Sequence, residues 1–184
     1  MHQEPTTCLS FTDDQRIITG SALGRIAVCS LSDQQVSTLN STVSAGIKTL
    51  SFNPPTHRLF AGRQSGMVSC WDVRMMKLLW ETRLSGNVVY HLRLRQNDTL
   101  SMVAGGIDGV LRVIDQATGD VLARYVMAPV GQSPRRPARR LPEDESLDAI
   151  PTTARPPITC LAVGMNKVAT THNGSYIRLW KFTY

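Results

Sequence analysis

Residues 58 to 72 read Arg58-Leu-Phe-Ala-Gly-Arg-Gln-Ser-Gly66 and then Met67-Val-Ser-Cys-Trp-Asp72. A short apolar run ends in small residues, a turn ends in glycine, and a second apolar run ends in Trp71-Asp72. Two such runs joined by a glycine-bearing turn are the pattern of a β-hairpin. Just upstream, Thr49-Leu-Ser-Phe52 sets Leu50 and Phe52 two apart, the spacing at which one face of a strand is buried.

The same order of features recurs. Arg16-Ile-Ile-Thr-Gly-Ser-Ala-Leu-Gly24 leads into Arg25-Ile-Ala-Val-Cys-Ser30, and Ser101-Met-Val-Ala-Gly-Gly-Ile-Asp-Gly109 into Val110-Leu-Arg-Val-Ile-Asp115. Lys167-Val-Ala-Thr-Thr-His-Asn-Gly174 leads into Ser175-Tyr-Ile-Arg-Leu-Trp-Lys181. The preceding pairs Leu9/Phe11, Leu92/Leu94 and Leu161/Val163 are expected to be buried in the same way. Gly24, Gly66 and Gly109 stand 42 and 43 residues apart, and Gly174 follows after 65, which is one repeat plus an insertion of about 22. Each of the four glycines supplies a residue tolerant of positive φ, as two-residue hairpin connections need. The small pairs Ala61-Gly62, Ala104-Gly105 and Ala169-Thr170 suit a close backbone approach. A weaker fourth strand is expected at Val36 to Leu39, Leu78 to Glu81 and Val121 to Tyr125.

Four-stranded units of 40 to 45 residues closing on Trp-Asp resemble the WD40 β-propeller family. The expected fold is all-β, with four blades of antiparallel four-stranded sheets, the last lacking its outer strand, forming part of a ring. Its structural repeat positions are Gly24, Gly66, Gly109, Gly174, Trp71, Asp72, Asp115 and Trp180. Three blades are expected over 1–127, a Pro-rich charged disordered loop over 128–157, and an incomplete last blade over 158–184. Four blades with this geometry do not close. The chain therefore reads as the C-terminal half of a longer propeller, from a truncated or short-isoform gene product, and is expected to be aggregated or oligomeric by itself.

The composition fits. Of 184 residues 42% are hydrophobic and only 18% charged, with 13 Gly and 10 Pro, which argues against a coiled coil and against wholesale disorder. There is no run of about 18 uncharged apolar residues, so no membrane partner is expected. The N-terminus has no basic region followed by an apolar stretch, which points to the cytoplasm or nucleus. Cys8, Cys29, Cys70 and Cys160 form no Cys-x-x-Cys pair and are expected as free thiols.

WD40 proteins usually carry a Gly-His dipeptide before the first strand and an Asp in the turn between strands two and three. With a Ser or Thr and the Trp, these build a buried hydrogen-bonded network. Here only Asp108 holds the turn position, Leu23, Ser65 and Asn173 replace it elsewhere, and no Gly-His dipeptide occurs. The full network is expected in no blade, leaving the blades to rely more on packing.

More specific stretches resemble the C-terminal blades of a plant F-box/WD-40 repeat protein. They are Val68-Ser-Cys-Trp-Asp-Val-Arg74, Asn87-Val-Val-Tyr90, Met102-Val-Ala-Gly-Gly-Ile-Asp-Gly-Val-Leu-Arg112 with Ile114-Asp-Gln116, and His172-Asn-Gly174 with Trp180-Lys-Phe182. The resemblance implies a longer parent whose F-box docks on the Skp1 adaptor of a cullin-RING ubiquitin ligase while the propeller holds the substrate. No F-box lies in these 184 residues. The rival readings are a general WD40 scaffold with no ubiquitin link and a nuclear RNA- or chromatin-associated propeller.

Seven prolines fall between Ala128 and Pro157, beside Arg135, Arg136, Arg139 and Arg140 and then Glu143, Asp144, Glu145 and Asp148. The prolines bar a helix or sheet interior. The opposing charge blocks favour a solvated loop over an import signal or a nucleic-acid patch.

Nothing in the sequence supports catalysis. His2, His57, His91 and His172 lack metal-like spacing, and no metal or cofactor is expected. Cys8 and Cys160 share one repeat position and are expected in core packing, and His172 to cap backbone groups in a turn. Asp108 before Gly109 has a turn reason of its own. Trp80, in a fourth strand, is expected to be partly exposed. Recognition of a protein partner remains, on the face bearing the turns between strands two and three. The candidates there are Lys48, Arg63, Tyr90, Asp108 and His172.

Overall fold

The computed structural model describes residues 3–12, 14–95, 98–126, 155–164, 167–174 and 176–181, leaving aside the side chains of 95, 98 and 99. The first sheet comprises β1 (Thr6–Phe11), β2 (Arg16–Ser21), β3 (Ile26–Ser30) and β4 (Val36–Leu39). The second comprises β5 (Ile47–Asn53), β6 (Arg58–Arg63), β7 (Met67–Asp72) and β8 (Lys77–Arg83), with a 3-10 turn at Pro54–Thr56. The third comprises β9 (Val89–Arg95), β10 (Asp98–Gly106), β11 (Val110–Asp115) and β12 (Val121–Val126). The fourth comprises β13 (Ile158–Val163), β14 (Lys167–His172) and β15 (Ile177–Lys181), and is three-stranded among the described residues. Every sheet is an antiparallel meander, and the fourth strands fall where the sequence places them. Most of the 128–157 segment lies outside the described residues.

The register superimposes the blades. Leu59 pairs with Trp71 as Ile17 does with Cys29, Met102 with Ile114 and Val168 with Trp180. The first strands β1, β5, β9 and β13 pack successively against one another, and the four sheets form an open arc. The core lies between blades. One cluster joins Ile18, Ile26 and Val28 of blade 1 to Leu50, Leu59 and Trp71 of blade 2. A second joins Phe60, Val68 and Cys70 to Leu92, Met102 and Ile114. The third joins Val103 and Leu111 to Ile158, Leu161 and Val168. Burial of each such side chain contributes about 1.5 to 3 kcal/mol, so blade stacking dominates the stability.

Three expectations need correction. Leu9 and Phe11 are exposed where Leu50, Leu92 and Leu161 are buried against the sheet before their own, a contact that Leu9 does not make among the described residues. Cys160 is exposed rather than packed in the core, whereas Cys8, though half-buried, packs against the first cluster and Cys70 is fully buried. The turns between second and third strands are longer than two residues. In each of the first three blades the glycine N–H donates to the carbonyl three residues back, Gly24 to Ser21, Gly66 to Arg63 and Gly109 to Gly106. Those glycines have φ of 94°, 79° and 68°, as in loops where a tight turn is followed by a left-handed residue. Gly174 is not among the positive-φ residues.

Candidate functional site at the turn-bearing face

Each first strand carries the same irregularity after its first residue. The pairing skips Thr7 between Thr6 and Cys8, Lys48 between Ile47 and Thr49, Tyr90 between Val89 and His91, and Thr159 between Ile158 and Cys160. A β-bulge leaves its extra residue outside the ladder and re-aims its side chain. Four bulges in register thus present Thr7, Lys48, Tyr90 and Thr159 at one level of neighbouring inner strands. Lys48 and Tyr90 are half-buried, and Thr7 and Thr159 are exposed.

Two of these residues line a cavity between blades 3 and 4. Tyr90 and Thr159 form it together with Ile107, Asn173 and Pro157, enclosing about 230 Å³. Ile107 comes from the β10–β11 turn, Asn173 from the turn after β14, and Pro157 from the segment leading into β13. The lining is mainly apolar, with a phenol, a hydroxyl and an amide available. Beside it, His91 Nε2 donates to the Thr159 carbonyl oxygen at 2.8 Å, tying β9 to β13. Burial lowers the His91 pKa against the opposing pull of that carbonyl.

Arg63, Asp108 and His172 do not belong to a free surface. All three are buried, and each fastens its blade to the segment that leads into that blade's first strand. Arg63 Nη1 donates to the carbonyls of Val43 at 3.0 Å and Ala45 at 3.1 Å. Its Nε lies 3.8 Å from Glu81 Oε1, which also accepts from Ser69 Oγ at 2.5 Å and Ser41 Oγ at 2.7 Å. Thr42 donates to the other carboxylate oxygen. Burial pushes the Glu81 carboxyl up, but the Ser69, Thr42 and Ser41 hydroxyls and the Arg63 charge together hold it below its ordinary value.

Asp108 accepts from Ser85 Oγ at 2.7 Å, from Arg112 Nη2 at 2.6 Å and from the Val110 N–H at 3.2 Å. In blade 4 the bonds run in one direction. Trp180 Nε1 donates to Thr170 Oγ1 at 3.0 Å, the Thr170 hydroxyl lies 2.9 Å from His172 Nε2, and His172 Nδ1 lies 3.1 Å from the Pro157 carbonyl oxygen. A carbonyl only accepts, so Nδ1 carries the proton and Nε2 receives the Thr170 hydroxyl. Blade 1 uses Ser21, which donates to Glu4 Oε1 at 3.0 Å. The blades therefore do not rely on packing alone: each ties down its lead-in segment with different chemistry. His172 does cap backbone groups, from the end of β14 rather than from a turn.

The aspartates of the repeat also have a local task. Asp72 Oδ1 accepts from the N–H groups of Arg74 and Met75, and Asp115 Oδ1 from those of Ala117 and Thr118, ordering the turn that leaves each third strand. Trp71 is fully buried, while Trp180 is half-buried and Trp80 half-buried against Phe60, with ring centroids 6.0 Å apart. One clamp had no signal in the repeat pattern. The buried Gln116 of blade 3 accepts from Asn53 Nδ2 at 2.8 Å, and its carbonyl from Arg58 Nη1 and Trp80 Nε1, all in blade 2. Among the described residues no group of three or more His, Cys, Asp or Glu is placed to hold a metal ion, and no helix is long and apolar enough to cross a membrane.

Residues 33–72, the segment from the end of blade 1 through the Trp71-Asp72 strand, match the family WD domain, G-beta repeat. The chain is built from WD40 repeats. This WD40 chain is 47% identical over 190 aligned residues to an F-box/WD-40 repeat-containing protein of Arabidopsis thaliana, covering 97% of the chain and 42% of that relative. It thus spans less than half the length of the curated relative it matches. Among solved structures it resembles the Cps50 (Swd1) β-propeller domain of Myceliophteria thermophila, with TM-score 0.74 and 18% identity over 98% of this chain and 53% of that one. A chain of the Mitotic Checkpoint Complex matches with TM-score 0.71 and 18% identity, over 98% and 49%. The computationally designed Ika4 protein matches with TM-score 0.74 and 19% identity, over 100% and 94%. WD40 propellers are protein-interaction modules, and the bulge row with its cavity is where this WD40 chain offers shaped, accessible side chains.

Proposed function

We propose that this chain recognises a protein partner at the level of its four bulges, with the Tyr90–Thr159 cavity receiving one apolar side chain, and that it does so as the substrate-holding part of an F-box ubiquitin-ligase adaptor. The cavity carries the reading. At about 230 Å³ it is smaller than the roughly 300 Å³ at which pockets for drug-sized ligands begin, and it suits a side chain better than a cofactor. Tyr90 brings a large, rigid contact surface with a polar tip, the kind of group that dominates protein interfaces. Of the four bulge residues only Lys48 is cationic, which suits a protein surface better than a phosphate backbone needing several neutralising groups. The likeness to an F-box/WD-40 protein supports the ligase link.

Two experiments separate the parts of this reading. Peptides selected on the chain from a display library should share one apolar anchor, and Tyr90→Ala or Ile107→Asp should weaken the selected peptides at least tenfold by fluorescence anisotropy. Unchanged affinity in both variants rejects the cavity. A longer product of the same gene that carries an F-box should bring down Skp1. Failure there leaves a WD40 scaffold without a ubiquitin link and leaves the cavity result standing.

A further inference from the structure

Two of the four bulge residues spend their polar groups inside the fold. The Thr7 hydroxyl reaches the Gly20 carbonyl at 3.0 Å and the Ile47 carbonyl, and Thr159 Oγ1 lies 2.9 Å from the Thr171 hydroxyl. Lys48 and Tyr90 have no such bonds among the described residues. They stand on neighbouring strands that are held tightly together. Thr49 Oγ1, next to Lys48, accepts from the Leu92 N–H of β9 at 3.4 Å. A methyl group at Gly62 would meet both Thr49 Cγ2 at 2.8 Å and Val89 Cγ1 at 2.9 Å, so the residues flanking the two bulges close over one glycine. Lys48 is half-buried, and the acids at its end of the blades are already engaged. Glu4 accepts from Ser21 and lies 3.8 Å from Arg25, Glu81 holds Arg63 and three hydroxyls, and Asp108 holds Ser85 and Arg112. A half-buried ammonium group has lost part of its hydration, and a carboxylate brought by a partner would replace it with a charge-assisted hydrogen bond.

We propose that the segment recognised here carries an Asp or Glu near its apolar anchor, the carboxylate meeting Lys48 Nζ while the anchor fills the Tyr90–Thr159 cavity. The assignment rests on the recognition proposed above and adds the chemical class of the partner, a short acidic and apolar stretch. Packed sheets lie about 10 Å apart and an extended chain advances about 3.3 Å per residue, so an acid about three to five residues from the anchor reaches Lys48. One ammonium group matches one carboxylate in charge, whereas a phosphorylated side chain would leave about one negative charge unanswered. Tyr90 stands between the two contacts and packs along the backbone that joins them.

The test uses the full chain and a display library of peptides with one fixed leucine and randomised flanks. Selected sequences should share an Asp or Glu at one spacing from the leucine. In fluorescence anisotropy, replacing that acid with its amide should weaken binding about tenfold, and so should Lys48→Gln in the protein. Lys48→Arg should retain most of the affinity. Lys48→Glu should prefer a peptide with lysine at the acidic position over the parent peptide, a gain that a misfolded variant cannot give. Apolar anchors selected without an acid overturn the proposal, as does parent-peptide affinity unchanged in Lys48→Glu, and both results leave the cavity reading intact. A peptide that binds only with phosphoserine at the acidic position overturns the proposal as well. Unchanged binding in Tyr90→Ala and Ile107→Asp would instead remove the cavity reading and the proposal with it.

Discussion

Arg63 and Glu81 form an ion pair inside blade 2, Nε to Oε1 at 3.8 Å, with the arginine wholly buried and the carboxylate holding three hydroxyls. Removing one partner of a buried pair costs about 3 to 5 kcal/mol, since the remaining charge is left uncompensated. Glu81→Gln should therefore destabilise the chain by about that much in urea titrations. Changing Arg63 and Glu81 together to methionine should cost less than Glu81→Gln alone. A double variant at least as unstable as that single one would show that the pair adds net stability.

Asp108 makes acid the weak side of blade 3. Burial raises its pKa, but the Arg112 bond and charge, the Ser85 hydroxyl and the Val110 N–H outweigh that and hold it below its ordinary value. The unfolded chain then binds more protons in acid, so the contribution of Asp108 is complete above about pH 4 and disappears as the pH falls through the folded-state value. Asp108→Asn should lower stability at pH 7 and flatten the decline that sets in as the pH falls below about 4. A wild-type slope in the variant would remove Asp108 as its source.

Gly66 and Gly86 should respond differently to the same change. A methyl group at Gly66 would stand 2.0 Å from the Ser85 carbonyl oxygen at φ +79°, while one at Gly86 meets nothing within 4 Å. Gly66→Ala should cost more than about 1 kcal/mol and Gly86→Ala little or nothing. Equal melting temperatures for the two variants would contradict the close approach of the blade 2 turn to the blade 3 lead-in.

The cysteines report the folded state. Burial pushes the Cys70 thiol up to about 12, with Arg58 pulling the other way, while Cys160 is exposed. The thiolate is the reactive form. Iodoacetamide at pH 8 should modify Cys160 first and Cys70 only after denaturation, as read by mass spectrometry of peptides. Early labelling of Cys70 would mean that the interface between blades 2 and 3 opens.

The fold was legible because the sequence repeats a backbone plan: period-two pairs, turn glycines at Gly24, Gly66 and Gly109, and apolar third strands all mark the same ladder. The site was legible only in part. Lys48 and Tyr90 stand on bulges, but nothing in a sequence separates an extra residue in a ladder from an ordinary one, so no pattern marks Thr7 and Thr159 as their counterparts. Arg63, Asp108 and His172 read as surface residues because they are polar and near a turn, whereas their burial depends on lead-in segments that pack over them. Gln116 bonds to residues of another blade, and no local pattern announces a contact across 63 positions.

The bulges at Thr7, Lys48, Tyr90 and Thr159 have a consequence for how such a chain can change. The ladder excludes these four positions; Thr7 still ties β1 to the Gly20 and Ile47 carbonyls and Thr159 meets the Thr171 hydroxyl, whereas Lys48 and Tyr90 stand clear of such bonds among the described contacts, and the ties through Ser21, Arg63, Asp108 and His172 hold the lead-in segments. On the proposed reading, substitution at Lys48 and Tyr90 alters what is recognised while leaving the strand pairing in place. On that reading the backbone irregularity at these two positions works as a socket, separating the evolution of specificity from the maintenance of the scaffold.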